Sequence, residues 1–210
     1  MQQEPLFTPK SDWSIPDVFP QFSDKECIAV DLETYDPQLL TQGPGWATGQ
    51  GYIVGVGVAT ADWKGYFPIR HEGGGNLDEA VVLRWLNNTL SSPEREVIFH
   101  NSLYDVGWLR REGVDVKGKI LDTIFAAPLV DENRHSYSLD SLGETYCGEK
   151  KDESLLQDAA LAWGINPKAE MYKLPSKYVG PYGEQDAALT LKLWEKLKVE
   201  LREHNSESIF

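Results

Sequence analysis

The apolar residues of this chain fall into short β-prone runs in its first half and stripes at helical spacing in its second. Cys27-Ile28-Ala29-Val30 is short and apolar, with the polar Ser23-Asp24-Lys25-Glu26 before it, which predicts a buried strand. Residues 52–60 carry Ile53, Val54, Val56 and Val58 and read as a second strand. Gly55 and Gly57 within it leave room for something packed close to its face. Residues 63–70 read as a third strand, joined by a tight turn and so antiparallel to the second. Residues 96–99 predict a fourth strand and residues 119–121 a short fifth.

Helical signals gather after the strands. Asn76 offers an N-cap with Glu79 three residues on. Val82, Leu86 and Leu90, with Trp85 beside them, form the buried stripe of a helix that ends before Pro93. A second helix starts at a cap on Asn101 or Ser102 and ends at Gly113. From Asp122 on the chain reads as helical, with short helices over 139–147 and 154–163 and a last one running to about Glu203. Pro181, near the first turn of that last helix, leaves its start open. Residues 35–51 form a long loop, and no Gly-Lys-Ser/Thr follows its glycines, so it is not a phosphate-binding loop. Trp46 at its centre is expected to pack on the body rather than to stack on a base. The succession predicts an α/β domain, a mixed sheet with helices packed on it. Residues 1–22 read as an irregular lead-in and residues 23–210 as the domain.

Composition narrows the class. Seven Trp, nine Tyr and seven Phe in 210 residues supply ample core material. A net charge of −13 argues against a broad basic surface for nucleic acid, but bound divalent cations reverse the local sign of an acidic site, so a nuclease stays in play. Two cysteines without metal-type spacing fit a reducing, cytoplasmic setting and argue against zinc. No apolar run reaches membrane-spanning length, and residues 1–10 lack a signal-peptide pattern.

The charges that change the picture sit at element ends. Asp31 and Glu33, two apart at the end of the first strand, project from one face. Held together there they repel, and need protons, a basic side chain or a hard cation, unless the strand end is simply solvated. Asp105 lies in the first turns of the helix after His100-Asn101-Ser102-Leu103-Tyr104, where an acid also suits the helix N-terminus. Tyr182 and Asp186 share one face of the last helix, and Leu189, Leu193 and Leu197 mark that face as buried. Arg134, beside His135, is either a phosphate contact or an ordinary loop charge.

Asp-x-Glu after the first strand, Asn-x-x-Tyr-Asp after the fourth and Tyr-x-x-x-Asp on the last helix resemble the three motifs of the DEDD superfamily of 3′→5′ exonucleases, in its Tyr subtype. Phe67-Pro68-Ile69-Arg70-His71, Asp122-Thr123, Arg134-His135 and Leu174-Pro175 resemble, more narrowly, the proofreading domain of family A DNA polymerases. The Gly43-Pro44-Gly45-Trp46 loop points to its bacteriophage branch. The resemblance spans about residues 24–205 and implies an RNase H-like fold, a mixed five-stranded sheet with helices around it. It implies two Mg²⁺ or Mn²⁺ ions, with Asp31 bridging both, Glu33 and Asp186 on the water-activating one and Asp105 supporting the other through water. Tyr182 would orient the attacking water. Asn101, Tyr104 and Arg134, with Thr34 and His100, would lie near the terminal nucleotides. The expected substrate is a single-stranded DNA 3′ end, released as 5′-mononucleotides. The expected partner is a polymerase domain in the same parent chain or a replication protein, in the host cytoplasm if phage-encoded. An exoribonuclease of the RNase D kind and an inactive scaffold are the competing readings.

Overall fold

The computed structural model describes residues 5–206 and 208–210. Residues 1–4 of the expected lead-in lie outside the described residues. The first strand, β1 (Ile28–Tyr35), is followed by two one-turn helices, α1 (Leu39–Gln42) and α2 (Gly45–Thr48). Then come β2 (Tyr52–Ala59), β3 (Lys64–Pro68), α3 (Glu79–Leu90), β4 (Glu96–Phe99), α4 (Ser102–Arg111), β5 (Lys119–Asp122) and α5 (Thr123–Val130). A short α6 (Leu139–Leu142) runs into a π-helical turn, Gly143–Cys147. After it come α7 (Ser154–Trp163), a 3₁₀ turn at Met171–Lys173 and the long α8 (Ser176–Glu203).

The sheet has five strands in the order β3-β2-β1-β4-β5. β1 is antiparallel to β2 and parallel to β4. β2 and β3 pair antiparallel, β4 and β5 parallel. Strand alternation divides β1 between two layers. Ile28, Val30 and Leu32 join Val82, Leu86, Trp108 and Leu109 in the core under α3 and α4. Ala29 joins Leu121, Ala126, Leu189, Leu193 and Leu197 in the core under α5 and α8. Asp31 and Glu33 continue the Ala29 side, so they face α8.

Glycine lets α8 cross the sheet there. A Cβ on Gly57 would stand 2.4 Å from the Gly183 carbonyl oxygen, and one on Gly183 would stand 2.5 Å from the Tyr66 ring. Gly55 would collide with the Tyr66 hydroxyl at 2.1 Å. Both β2 glycines thus accommodate a close neighbour, the backbone of α8 at one and Tyr66 at the other. Pro181 sits inside α8, which starts at Ser176, ahead of the position the proline had left open. Proline cannot donate to the carbonyl of residue 177, and the Ser11 hydroxyl donates to that carbonyl instead, at 2.7 Å. The residues before β1 pack on the body elsewhere too: Phe19 stacks on Phe67 with ring centres 5.4 Å apart, and the Trp13 indole donates to Glu184 at 2.7 Å.

Several local expectations are corrected. α3 is capped by Asp78, whose carboxylate accepts from the Val81 amide at 3.0 Å, while Asn76 pairs with both backbone groups of His71. Asn101 precedes α4 in left-handed backbone with φ +78° and makes no side-chain cap. Asp122, from the neighbouring strand, accepts from the amides of Asn101 and Ser102 at 3.0 and 2.6 Å. β3 stops at Pro68, because the amides of Ile69 and Arg70 both turn to the Val54 carbonyl. The expected single helix over 139–147 divides into an α turn and a π turn. Within the 35–51 loop, Trp46 lies against Gly107 so closely that a Cβ there would be 2.4 Å from the indole, which is the packing role expected for it.

Candidate active site

Three acids meet between β1 and α8. Asp31, Glu33 and Asp186 each place a carboxylate oxygen within 4.8 Å of the others. The strand period sets Asp31 and Glu33 side by side, the β2–α8 glycine contact brings the helix down to them, and the helical period stacks Asp186 one turn beyond Tyr182. Glu33, Asp186 and Tyr182 are buried. Asp105, at the start of α4, is equally buried but stands outside this tight group, with Asp31 its strongest charged neighbour.

Burial and mutual repulsion dominate the electrostatics. The Asp31 carboxyl is pushed up to about 7, first by burial and then by Asp186, against the pull of Lys151. Glu33 stands well above the usual carboxylate range because of burial, then Asp31 and Asp186. Asp105 is raised by burial, then by Asp31 and Asp122, and the amides of Asp105 and Leu32 oppose the shift. Asp186 is raised by burial, with Lys151 working against it. Burial and the surrounding carboxylates keep the Tyr182 phenol protonated.

Two lysines supply the local positive charge. The Lys151 ammonium donates to Asp186 Oδ2 at 2.9 Å, with Asp140 Oδ1 at 3.5 Å and the Tyr182 hydroxyl at 3.5 Å. Its side chain is 8% exposed, so its charge is directed inward. Lys168 donates to the Tyr182 hydroxyl at 3.0 Å and is ion-paired with Glu153. Both ammonium groups lie over the Tyr182 ring, 5.1 and 4.5 Å from its centre. Neither lysine stood out in the sequence, where Lys151 lies within the charged run Glu149-Lys150-Lys151-Asp152.

The remaining residues singled out by sequence have partners of their own or stand exposed. Thr34 and Tyr104 share a 2.7 Å hydrogen bond, and the Tyr104 hydroxyl donates to Asp36 at 3.1 Å. Asn101 is exposed beside them in chain order, at the start of α4. His100 turns its Nδ1 to the Thr123 hydroxyl at 2.8 Å, and burial lowers its pKa to about 4, so it is a neutral imidazole. Arg134 is tied to Ser141 and Thr145 at 3.1 and 2.8 Å, and its hydrogen bonds go to the α6 and π-turn segment rather than to the carboxylates.

The donor set suits a hard divalent cation. All three close ligands are carboxylate oxygens, the preference of Mg²⁺ and Mn²⁺, and Asp186 Oδ1 is buried without a hydrogen-bond partner. A buried carboxylate oxygen left unpaired is costly, and a cation at that point would satisfy it.

The sequence pattern of the 3′-5′ exonuclease domain of family A DNA polymerases matches residues 14–202. The chain belongs to this exonuclease family. It is 37% identical over 215 aligned positions to a DNA-directed DNA polymerase of Pseudomonas phage M6, covering 99% of this chain and 32% of that protein. It is 26% identical to DNA polymerase DpoZ of Salmonella phage PMBT28, over 92% of this chain and 29% of the relative. The chain thus spans about a third of the length of these polymerases. Among solved structures, Brucella melitensis NrnC with bound Mg²⁺ superposes with a TM-score of 0.60 at 15% identity, over 88% of this chain and 77% of that one. Escherichia coli RNase D superposes with a TM-score of 0.54 at 17% identity, over 85% and 40%. These neighbours share the RNase H-like fold of this exonuclease, a mixed five-stranded sheet with helices packed around it.

Proposed function

We propose that this exonuclease removes 5′-mononucleotides from the 3′ end of single-stranded or frayed DNA, as the proofreading part of a DNA polymerase. The observation that carries the reading is the convergence of Asp31, Glu33 and Asp186 beside Tyr182. Asp31, Glu33 and Asp186, with Asp105 behind them through water, would hold two divalent cations, Mg²⁺ or Mn²⁺. Bound there, such ions supply an ionised water near neutral pH and charge stabilisation at the leaving oxygen. Tyr182 orients the attacking water. A lysine can only donate, so in the Lys168 bond the phenol oxygen accepts, and the Tyr182 proton is left to donate, with the Asp186 carboxylate as its neighbour. At the rim, Thr34 and Tyr104 form a ready polar and aromatic edge for the terminal nucleotide, and Asn101 adds an exposed amide. His100 and Arg134 serve from further out, Arg134 as a phosphate contact once it leaves Ser141 and Thr145.

DNA is favoured because the matching family is the 3′-5′ exonuclease of family A DNA polymerases and the phage M6 relative is a DNA polymerase. The polymerase would be the rest of a longer parent chain or a replication partner, at work in the host cytoplasm, with residues 23–210 as the nuclease unit and 1–22 as its lead-in. A second reading, a 3′→5′ exoribonuclease, has the fold shared with RNase D in its favour. The test is release of mononucleotides from 5′-labelled single-stranded DNA, and from RNA of the same sequence, with Mg²⁺, with Mn²⁺ and with chelator. Metal-dependent shortening of DNA from its 3′ end is expected, with RNA cut more slowly. Faster cleavage of RNA would install the second reading, and full activity in Asp31→Ala/Glu33→Ala would end both.

A further inference from the structure

Lys151 is the feature that the nuclease reading leaves unused. It sits in an irregular stretch between the π turn and α7, just after Gly148, which ends the π turn in left-handed backbone with φ +66°. Its ammonium lies between two carboxylates of opposite character. Asp186 on the inner side is buried and belongs to the acidic group, while Asp140 on the outer side, in the first turn of α6, is 54% exposed. The 2.9 Å contact goes to Asp186 and the 3.5 Å contact to Asp140. A divalent cation taken up at the unpartnered Asp186 Oδ1 would meet the lysine charge held on Oδ2 of the same carboxylate and be repelled by it. A small rotation of the flexible lysine stem transfers the ammonium to Asp140, where solvent and a second carboxylate receive it.

We propose that Lys151 is the resident counter-ion of this site: it holds Asp186 in the metal-free protein, yields it to an arriving divalent cation, and rests on Asp140 while the metal is bound. The inference builds on the two-metal reading of the carboxylates and adds a residue that sets their affinity. Lys151 and the metal compete for Asp186, and Asp140 lowers the barrier to exchange by keeping the displaced charge paired.

The test is calorimetric titration of the full chain with MnCl₂, without nucleic acid, alongside thermal melting in chelator and in excess Mn²⁺. Lys151→Met is expected to bind Mn²⁺ about tenfold more tightly, the low end of what changes beside a metal ligand do. Lys151→Arg keeps the charge and is expected to bind like the wild type. Asp140→Asn removes the outer resting place and is expected to bind a few-fold more weakly, with Asp140 exposed enough that folding is not at stake. In chelator, Lys151→Met melts below the wild type because Asp186 loses its partner, and excess Mn²⁺ raises its melting temperature by more than it raises that of the wild type. Equal or weaker Mn²⁺ binding by Lys151→Met overturns the proposal, as does an Asp140→Asn variant that binds unchanged. A wild-type protein that takes up no Mn²⁺ overturns the metal reading itself, an outcome visible before any variant is compared.

Discussion

The inner and outer halves of the proposed site, the carboxylate group and the Thr34–Tyr104 region, are held by different means. Inside, Asp31, Glu33 and Asp186 stand on a central strand and a long helix, fixed by strand and helix periodicity and by the Gly57–Gly183 contact. Outside, Thr34, Asn101 and Tyr104 are held by hydrogen bonds to loop and helix-end groups such as Asp36 and Asp122. The inner half stores repulsion in a rigid frame, a state suited to gripping cations. The outer half stores little and can adjust, which suits a strand that must advance one nucleotide at a time. Changes inside should therefore remove chemistry, and changes outside should alter substrate affinity.

The largest effect is expected from Asp31→Asn. Loss of the central carboxylate should lower kcat on the order of 10³-fold, comparable to removing a group aimed at developing charge. The change in KM should be small. A variant with raised KM and normal kcat would erase the distinction between the two halves.

The stored repulsion has its own signature in pH. The Asp31 carboxyl rises from an ordinary value near 4 to about 7 on folding, so between these limits the folded protein binds more protons than the unfolded chain. Stability in chelator should then fall as pH rises from 4 to 7. Asp31→Asn removes the penalty. It should be more stable than the wild type at pH 7 and lose that advantage by pH 4, and Mn²⁺ should restore the wild type. Urea melts at several pH values check the sign. Parallel curves for the two proteins would mean that the inner half stores no repulsion.

Gly57→Ala tests the frame rather than the charges. Its Cβ would lie 2.4 Å from a backbone carbonyl of α8, which no side-chain rotation relieves. Destabilisation of about 1–3 kcal/mol is expected, as for other overpacked sites. Because the displaced segment carries Tyr182 and Asp186, kcat should fall as well at temperatures where the protein is fully folded. A fall in stability with kcat intact would show that the crossing serves the fold alone.

How far this architecture could be read from residues alone follows the same division. The five strands and the Asp31–Glu33 face were legible because alternation is local and survives without knowledge of neighbours. Tyr182 and Asp186 were legible for the same reason, four residues apart on a helix whose leucines mark the buried side. What failed to show was a set of polar contacts made across the fold. Asn101 looked like a cap, yet Asp122 from the adjacent strand takes that role. Asn76 looked like a cap two residues too early, because its amide is committed to His71. Pro181 obscured the start of α8 because the carbonyl it orphans is satisfied by Ser11, far away in sequence. Two repelling carboxylates demanded a neutraliser, with a basic side chain among the candidates, but nothing in the charge run around Lys151 marked that lysine as buried.

The smallest effect, and the finest test of the outer half, is Tyr104→Phe. The Tyr104 hydroxyl links β1 to α4 through Thr34 and ties in the following loop through Asp36, which also accepts from the Gly45 amide at 2.9 Å. Removing one hydroxyl from this partly exposed network should cost about 1 kcal/mol of stability, the net worth of an ordinary hydrogen bond. The ring itself remains, so the stacking proposed for it against a base or sugar would be kept. What is lost is the fixed position of the loop that carries Gly45 and Trp46 beside the rim. KM for single-stranded DNA should rise a few-fold while kcat holds, and Mn²⁺ affinity measured without DNA should not change. A loss of kcat or of Mn²⁺ binding in Tyr104→Phe would mean that the rim helps to position the carboxylates, and that the two halves of the site work as one.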